Sequence, residues 1–289
     1  GTADKPVIFT ANTTSPVSGY WGGIIINGKA PISGQNADKS DTGLTEIDNS
    51  FKYGGNVDDD NSGSLTYVQI CYAGATADIE HNGLTLNGVG SGTKIENIYV
   101  LESADDAIEF FGGTVNVTNL LAVNPDDDMF DFTQGYSGTL KNCYGVWENG
   151  YTSTEADPRG IEADGNLDGL YPTHLRQSDF RVENMTIVNN AADKADNVDR
   201  MQDVIKIRRG AKAAIVNALV KGTGGSIDLI DMSDSKGAGN ADSSVSITNS
   251  LNLTGKKLNG TLNTFAEPAG NTGTEASLFT WTGYNFSSL

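Results

Sequence analysis

The sequence is poor in cysteine, histidine and positive charge. Only two cysteines, Cys71 and Cys143, occur in 289 residues. These are too few for a disulfide framework, so we expect two buried free thiols, with one bridge between them as the alternative. The 19 Lys and Arg against 37 Asp and Glu give a formal net charge of −18, which argues against nucleic acid as a partner because phosphates require positive charge. The two histidines, His81 and His174, lie in polar stretches, so neither a His-based triad nor a zinc site is predicted.

Long apolar runs are also missing. No segment is long enough to span a bilayer, and no apolar stretch follows helical spacing. The chain starts at Gly1 without a signal segment, so we expect that a targeting segment has been removed. In their place are 35 glycines and many Asn, Asp, Ser and Thr between short runs of Val, Ile and Leu. This composition is typical of many short strands joined by turns.

A repeated pattern predicts the fold. One five-residue pattern recurs six times: an apolar residue, any residue, asparagine, any residue and a mostly apolar residue. Its asparagines are Asn97, Asn119, Asn142, Asn184, Asn217 and Asn249. The intervals of 22 to 42 residues fit a short coil with loop insertions. Tyr67 takes the asparagine position in an earlier, less regular coil. Upstream triplets such as Ile108-Glu109-Phe110 have apolar outer residues and a polar middle one, the alternation of a strand with one buried face.

Coils stacked in register would place like residues about 4.8 Å apart. The asparagine amides could then hydrogen-bond in one ladder, with their apolar neighbours facing a shared interior; the alternative is that Asn merely marks turns. We therefore predict an all-β, single-domain, right-handed parallel β-helix of about seven to eight coils. Residues 23–261 would form the β-helix, with insertions at about 30–62, 147–180 and 189–203, and residues 1–22 and 262–289 would cap its ends.

The middle residues of the triplets are expected to form an outward column. They read Thr85, Glu109, Asp131, Glu162, Lys206 and Asp228, and the next outward column reads Phe111, Thr133, Asp164, Arg208 and Ile230. Two carboxylates about 5 Å apart repel by roughly 3 kcal/mol at an effective dielectric constant of 20. A bound cation, a raised pKa or basic neighbours would relieve this repulsion. Ion pairs of Glu162 with Lys206 and of Asp164 with Arg208 are the purely structural alternative.

Acidic turns just before these strands supply the candidate metal ligands Asp105, Asp106, Asp127 and Asp128. Ca²⁺ is the preferred cation because it binds hard oxygen ligands, and the turn propensity of Asp is the alternative explanation. The long insertion adds aromatic and basic groups that could wall a groove for a carbohydrate chain. The candidate ligand-binding residues are Phe111, Trp147, Tyr151, Arg159, Asp164, Tyr171 and Arg176.

The candidate catalytic residues lie on the same face, and they are Glu109, Asp131, Glu162, Lys206 and Arg208. Neighbouring carboxylates would serve a glycoside hydrolase, and a basic residue with a cation would serve a polysaccharide lyase. The Asp105-Asp106 and Ile205-Lys-Ile-Arg segments are similar to polygalacturonase motifs, but Gly-His-Gly and Asn-Thr-Asp are missing from the expected positions.

Several longer segments resemble secreted or surface-displayed β-helix proteins of Bacteroidetes-type bacteria, often lipoproteins. They include Asn82-Gly-Leu-Thr-Leu, Ser103-Ala-Asp-Asp-Ala-Ile-Glu-Phe-Phe-Gly-Gly and Arg159-Gly-Ile-Glu-Ala-Asp. The resemblance, from about residue 20 onward, implies a pectin-lyase-like β-helix outside the cell or on the outer membrane, without an established reaction. We expect a monomeric glycan-binding or adhesive protein, with Ca²⁺ as its cation if one binds. The alternative is a lyase or hydrolase acting on an acidic polysaccharide.

Overall fold

Two parallel sheets contain most of the strands. The computed structural model describes residues 1–36, 41–74, 81–192 and 200–289. The larger sheet has the order β1 (Val7–Phe9), β5 (Ser64–Cys71), β7 (Lys94–Leu101), β9 (Asn116–Val123), β11 (Thr139–Trp147), β13 (Asp179–Asn189), β15 (Lys212–Lys221), β17 (Ser244–Asn249) and β19 (Thr264–Ala266). The smaller sheet, starting from its opposite end, has the order β2 (Ile24–Asn27), β6 (Leu84–Asn87), β8 (Ile108–Phe111), β10 (Phe130–Thr133), β12 (Ile161–Ala163), β14 (Met201–Lys206), β16 (Gly225–Asp231) and β18 (Asn252–Leu253).

The remaining elements are short. Strands β3 (Gly43–Leu44) and β4 (Lys52–Tyr53) form an antiparallel pair within the 30–62 insertion. Three 3₁₀ segments span Leu167–Gly169, Ala276–Thr282 and Phe286–Ser288.

The chain alternates between the two large sheets. Strand β5 of the larger sheet is followed by β6 of the smaller one, then by β7 and β8, and neighbours within each sheet are parallel. Eight coils contribute one strand to each sheet before β19 ends the larger sheet. This is the predicted parallel β-helix, and its coil number lies within the predicted range.

The core lies between the sheets. The outer residues of the triplets point into it, as predicted, and Ile108, Phe110 and Phe132 are fully buried. The rings of Phe110 and Phe132 stack with centroids 5.1 Å apart, and Phe180 stacks on Phe132 at 4.1 Å. Both cysteines are buried free thiols, which confirms that prediction. Stacked aromatic and aliphatic residues therefore form one continuous core along the axis.

The asparagine ladder runs through five consecutive coils. The Nδ2 group of Asn119 donates to Oδ1 of Asn97 at 2.9 Å, and the same bond links the next pairs at 2.8 to 2.9 Å, from Asn142 to Asn119, from Asn184 to Asn142 and from Asn217 to Asn184. All five have φ between 55° and 58°, a left-handed conformation that asparagine tolerates better than most residues. Tyr67 has φ 52° at the equivalent place.

The left-handed residue reverses the inside–outside alternation of each strand. Ile95 and Ile98, which flank Asn97, both enter the core, whereas Tyr99 points out of it. The expectation that the apolar residue two positions after each asparagine faces the shared interior was therefore wrong. The ladder asparagines are themselves half-buried rather than core residues.

Asn249 does not belong to the ladder. Strand β17 has one residue fewer than β15 between paired positions, so it lacks the left-handed residue, and Asn249 lies beside Val220. The oxygen Oδ1 of Asn249 accepts from the backbone N–H of Leu251 at 3.1 Å. At the end of the ladder, Oδ1 of Asn217 accepts from the backbone N–H of Thr272 at 2.8 Å. The prediction of a sixth ladder member was wrong because of this shift in register.

Residues 271–289, here called the C-terminal strap, cover the outer face of the larger sheet. They pack on the reversed apolar column, which contains Tyr99, Leu121, Val123, Tyr144, Val146 and Val188. The ring of Phe279 lies 6.1 Å from Tyr144, and the ring of Trp281 lies 5.3 Å from Tyr67. The strap thus runs back along the solenoid, whereas the sequence had suggested that this segment closes its end.

The ladder generates a prediction for stability. Replacing Asn142 by Ala removes the donor to Asn119 and the acceptor for Asn184 and places Ala in a left-handed conformation. We expect a loss of about 2 kcal/mol in the free energy of unfolding, measured by chemical denaturation. The control Asn249→Ala loses only local bonds to Leu251 and should cost clearly less. Equal losses would argue against a stabilising ladder.

The strap generates a second prediction. Phe279 of the strap is fully buried against the sheet, whereas its neighbour Leu278 is 39 % exposed. Phe279→Ala should destabilise the protein by about 3 to 5 kcal/mol, because it leaves a cavity against Tyr144. Leu278→Ala should change the free energy of unfolding by less than about 1 kcal/mol. If the two substitutions had the same effect in thermal denaturation, the strap would not be part of the cooperative fold.

Candidate functional site

The outer face of the smaller sheet carries a row of carboxyl groups. Asp131 of β10 pairs with Glu109 of β8 on one side and with Glu162 of β12 on the other. The predicted order of these three acids is therefore correct. Oxygens of Glu109 and Asp131 lie within 4.8 Å of each other, and Oε2 of Glu109 accepts from Nδ2 of Asn82 at 2.6 Å.

The acidic turns lie beside this row. Oδ1 of Asp106 accepts from the backbone N–H of Asp128 at 2.9 Å, which holds the turn before β8 against the turn before β10. Three groups of carboxyls result, each with oxygens within 4.8 Å of one another, and they are Asp105–Asp106–Asp127, Asp106–Glu109–Asp131 and Asp128–Asp131–Glu162. Stacking has therefore brought both predicted sets, the row and the turns, into one place.

These residues line a cleft of about 250 Å³, here called the acidic cleft. Its lining has eleven carboxyl groups and three guanidinium groups. The lining residues are Glu46, Asp105, Asp106, Glu109, Phe111, Asp127, Asp128, Asp131, Thr133, Asp157, Arg159, Glu162, Asp164, Leu167, Asp168, Arg208 and Arg209. The described part of the cleft is thus strongly negative.

Arginine side chains neutralise one end of the cleft. Arg159 forms an ion pair with Glu162 and reaches Asp203 with Nε at 3.5 Å. Arg208 also pairs with Glu162, and its Nε contacts Oδ1 of Asp164 at 2.6 Å. Burial lowers the pKa of Arg208, but these two carboxylates outweigh it and raise the pKa above its ordinary value. Arg208 therefore remains a cation and is fully engaged. The predicted pair of Asp164 and Arg208 is confirmed.

Compensation is weaker at the other end, where Nη1 of Arg159 lies 4.0 Å from Oδ2 of Asp128. We call Asp106, Glu109, Asp128 and Asp131 the central cluster. Burial raises the pKa of all four carboxyls well above its ordinary range, and neighbouring carboxylates raise it further. The Oδ1 atoms of Asp127, Asp128 and Asp131 are buried and have no hydrogen-bond partner among the described residues. Asp128 is only 2 % exposed. Buried oxygens without donors are costly, and a cation that accepts hard oxygen ligands would satisfy them.

Comparison with known proteins identifies the family. A family model described as the pectate-lyase-like β-helix domain matches residues 1–283. The chain belongs to this family. No curated protein and no solved structure matches it. The pectate-lyase-like β-helix supports a role related to polysaccharides. Within the described ranges, no helix has both the length and the apolar character required to cross a membrane.

The β-helix brings most, but not all, of the predicted catalytic candidates together. Glu109, Asp131, Glu162 and Arg208 line the acidic cleft. Lys206 instead forms an ion pair with Asp231. The predicted pair of Glu162 with Lys206 does not occur among the ion pairs of the described residues.

The register of β16 explains this difference. Asp231 pairs with Lys206, and Asp228 pairs with Asp203. The sequence pattern aligned Asp228 with Lys206, an error of three residues. Ile230, and not Ile227, continues the core column above Ile205. Ile230 is consequently a core residue rather than an outward one.

The ligand-binding candidates divide in a similar way. Phe111, Arg159 and Asp164 line the cleft, as do the four metal candidates Asp105, Asp106, Asp127 and Asp128. Trp147 is 1 % exposed and packs in the core. The other three do not line the cleft. The hydroxyl of Tyr151 donates to the carbonyl of Pro125 at 2.9 Å, and Nε of Arg176 donates to the carbonyl of Gly135 at 3.0 Å. Tyr171 borders a separate cavity of about 480 Å³. The predicted aromatic wall is absent from the described cleft because this insertion folds back onto the coils.

Some cleft residues were missed. Glu46 comes from the 30–62 insertion, and Leu167 and Asp168 come from the long insertion before β13. No sequence pattern indicates where these loops fold. Arg209 was detectable, since it follows Arg208 directly, and its Nη1 contacts Oδ2 of Asp164 at 2.5 Å.

The raised pKa values generate a third prediction. A carboxyl stabilises the fold in its protonated form when its pKa is higher in the folded state than in the unfolded state. This stabilisation is complete at pH values below the unfolded-state pKa and is lost as the pH rises through the folded-state pKa. For Asp203, burial raises the pKa from 3.8 to about 6 despite Lys206 and Arg159. Without divalent cations, the melting temperature should therefore fall as the pH rises from about 4 to 6 and above, because Asp203 and the central cluster lose protons.

Asp131→Asn tests the contribution of the central cluster. The amide removes one buried carboxyl from contact with Glu109 and Glu162. Its melting temperature should exceed that of the unmodified protein, by an amount that grows with pH in the absence of divalent cations. Asp59→Asn, at an exposed position, is the control and should follow the unmodified protein. A lower melting temperature for Asp131→Asn at pH 7 would contradict the proposed repulsion.

Proposed function

We propose that this protein binds glycans outside the cell, through the acidic cleft, with Ca²⁺ as the cation held there. The observation that carries the proposal is the group of buried, unpartnered carboxylate oxygens on Asp127, Asp128 and Asp131 in a cleft that is open to solvent. Such oxygens require a positively charged or hydrogen-bond-donating occupant.

The donor set suits Ca²⁺. Ca²⁺ takes six to eight oxygen ligands in flexible geometry, and Asp105, Asp106 and Asp127 place carboxylate oxygens within 4.8 Å of one another. These residues would hold the ion at the edge of the cleft, with Asp128 next to them. Bound there, Ca²⁺ would offer its remaining positions to water or to sugar hydroxyl oxygens.

The family favours a polysaccharide as the ligand. The basic residues that a lyase would require are already held in ion pairs with carboxylates. Arg208 is held by Glu162 and Asp164, and Lys206 by Asp231. A group that abstracts a proton must first be free of its own proton, whereas the pKa of Arg208 is raised. These contacts support binding over elimination chemistry.

A glycoside hydrolase is the second candidate, favoured by one observation. Glu109 and Asp131 are neighbouring carboxyls with oxygens within 4.8 Å, and burial raises the pKa of both. A carboxyl that keeps its proton near neutral pH can act as a general acid beside a carboxylate nucleophile. Turnover of a glycan, lost in Glu109→Gln, would replace the binding proposal by this one.

The fourth prediction concerns the metal. Ca²⁺ should raise the melting temperature, and a chelator should reverse this, because a ligand selective for the folded state stabilises it. Asp127→Asn should reduce the shift and weaken Ca²⁺ binding at least about tenfold, measured by calorimetry. Asp59→Asn should bind Ca²⁺ as the unmodified protein does. A melting temperature unaffected by both Ca²⁺ and chelator would remove the metal from the proposal. A glycan array without any bound glycan would remove the binding function.

A further inference from the structure

We infer that the glycan bound in the acidic cleft carries a primary ammonium group, as an amino sugar with a free amine does, and that Glu109 and Asp131 receive this group next to Asp106, which the proposed Ca²⁺ would also contact. The inference depends on the proposed glycan binding and names the chemical class of the glycan. The inferred ligand is cationic, in contrast to the acidic polysaccharide of the alternative enzyme hypothesis.

The charge of the cleft argues against an anionic ligand. Eleven carboxyl groups line it, and the three guanidinium groups that accompany them are already engaged by acids. Arg159 pairs with Glu162 and Asp157. Arg209 pairs with Asp164. An acidic sugar chain would add negative charge where no free basic group of the described residues awaits it, and like charges in a partly dehydrated cleft repel strongly.

Another cluster of carboxyl groups in this protein is already occupied by a cation. The outer face of the same sheet carries a fourth cluster, in which Asp203, Asp228 and Asp231 have oxygens within 4.8 Å of one another. The ammonium group of Lys206 occupies this cluster: it forms an ion pair with Asp231 and lies 3.8 Å from Asp203. A cluster of three carboxyl groups on this face therefore binds an ammonium group, in this case that of Lys206.

The Asp106–Glu109–Asp131 group also has oxygens within 4.8 Å of one another, but no ammonium or guanidinium group of the described residues, 1–36, 41–74, 81–192 and 200–289, forms an ion pair with it. Oδ1 of Asp131 and the adjacent Oδ1 of Asp128 are buried without a hydrogen-bond partner among these residues. Asp128 is only 2 % exposed and lines the cleft, so its free oxygen borders this group.

An ammonium group fits these acceptors. It has three N–H donors and no acceptor, and two oxygens each about 2.8 Å from one nitrogen lie roughly 4.6 Å apart at a tetrahedral angle. The carboxyl oxygens lie within 4.8 Å of one another, which allows one nitrogen to contact them together.

The test compares four ligands by calorimetry with Ca²⁺ present. They are a short β-1,4-linked glucosamine oligosaccharide with free amines, the fully N-acetylated oligosaccharide of the same length, an oligogalacturonate and spermidine. Each is titrated into the complete protein, into Glu109→Gln and Asp131→Asn, and into Asp228→Asn. The last variant removes one carboxylate from the cluster that Lys206 already occupies, so it controls for a general change of charge. Melting temperatures verify that each variant is folded.

The expected result is binding of the free-amine oligosaccharide at least about tenfold tighter than that of its N-acetylated counterpart. Glu109→Gln and Asp131→Asn should each weaken this binding by at least about tenfold, whereas Asp228→Asn should leave it unchanged.

Four outcomes would overturn the inference. Equal binding of the N-acetylated oligosaccharide, or tighter binding of the oligogalacturonate, would overturn it while leaving glycan binding intact. Spermidine binding as tightly as the amino sugar would show recognition of an amine without the sugar. Binding that is unchanged in Glu109→Gln and Asp131→Asn would place the ligand elsewhere. Absence of any glycan binding, on the other hand, would defeat the proposed function as well.

Discussion

Stacking of like residues in successive coils is the constraint on which this structure depends. Parallel pairing in fixed register makes residues that are 22 or more positions apart in sequence into neighbours, as with Asn97 and Asn119. A side-chain amide is stable at such a half-buried position only if its donor and acceptor are satisfied. The next coil supplies both partners, and the left-handed conformation of the asparagines turns each strand of the ladder at the same place. One interaction thereby fixes register and shape together.

The same stacking has a cost on the other sheet. It forces Glu109, Asp131 and Glu162 into adjacent positions, where their charges repel. The protein relieves this repulsion in different ways along one face. Arg159 and Arg208 neutralise Glu162, Lys206 neutralises Asp231, and the central cluster keeps raised pKa values and unpartnered oxygens. The central cluster thus keeps an excess of negative charge within the fold. Such an excess is typical of a binding site, where the ligand supplies the missing positive charge.

Prediction from sequence succeeded where the periodic pattern itself carries the information. The β-helix, its coil number, five ladder members and the order of the three acids follow from repeats that survive insertions. Prediction failed where one residue changes the register. A single residue missing from β17 removes Asn249 from the ladder, and Asp228 is displaced because Ile230, not Ile227, lies above Ile205. After each left-handed asparagine, the residues that would otherwise face the core face outward, and the reverse. A prediction that assumes strict alternation along the strand cannot anticipate this change.

The amino-acid sequence by itself determined that the chain forms a parallel β-helix and that acids accumulate on one face, because both depend on local patterns repeated at coil spacing. Only the tertiary structure decided which acids stay uncompensated and what covers the larger sheet. Glu46 reaches the cleft from a distant loop, Trp147 turns into the core, and the strap carrying Phe279 lies on Tyr144. These placements depend on how non-repeating segments pack against the coils, and contacts between segments far apart in sequence leave no periodic signal in either of them.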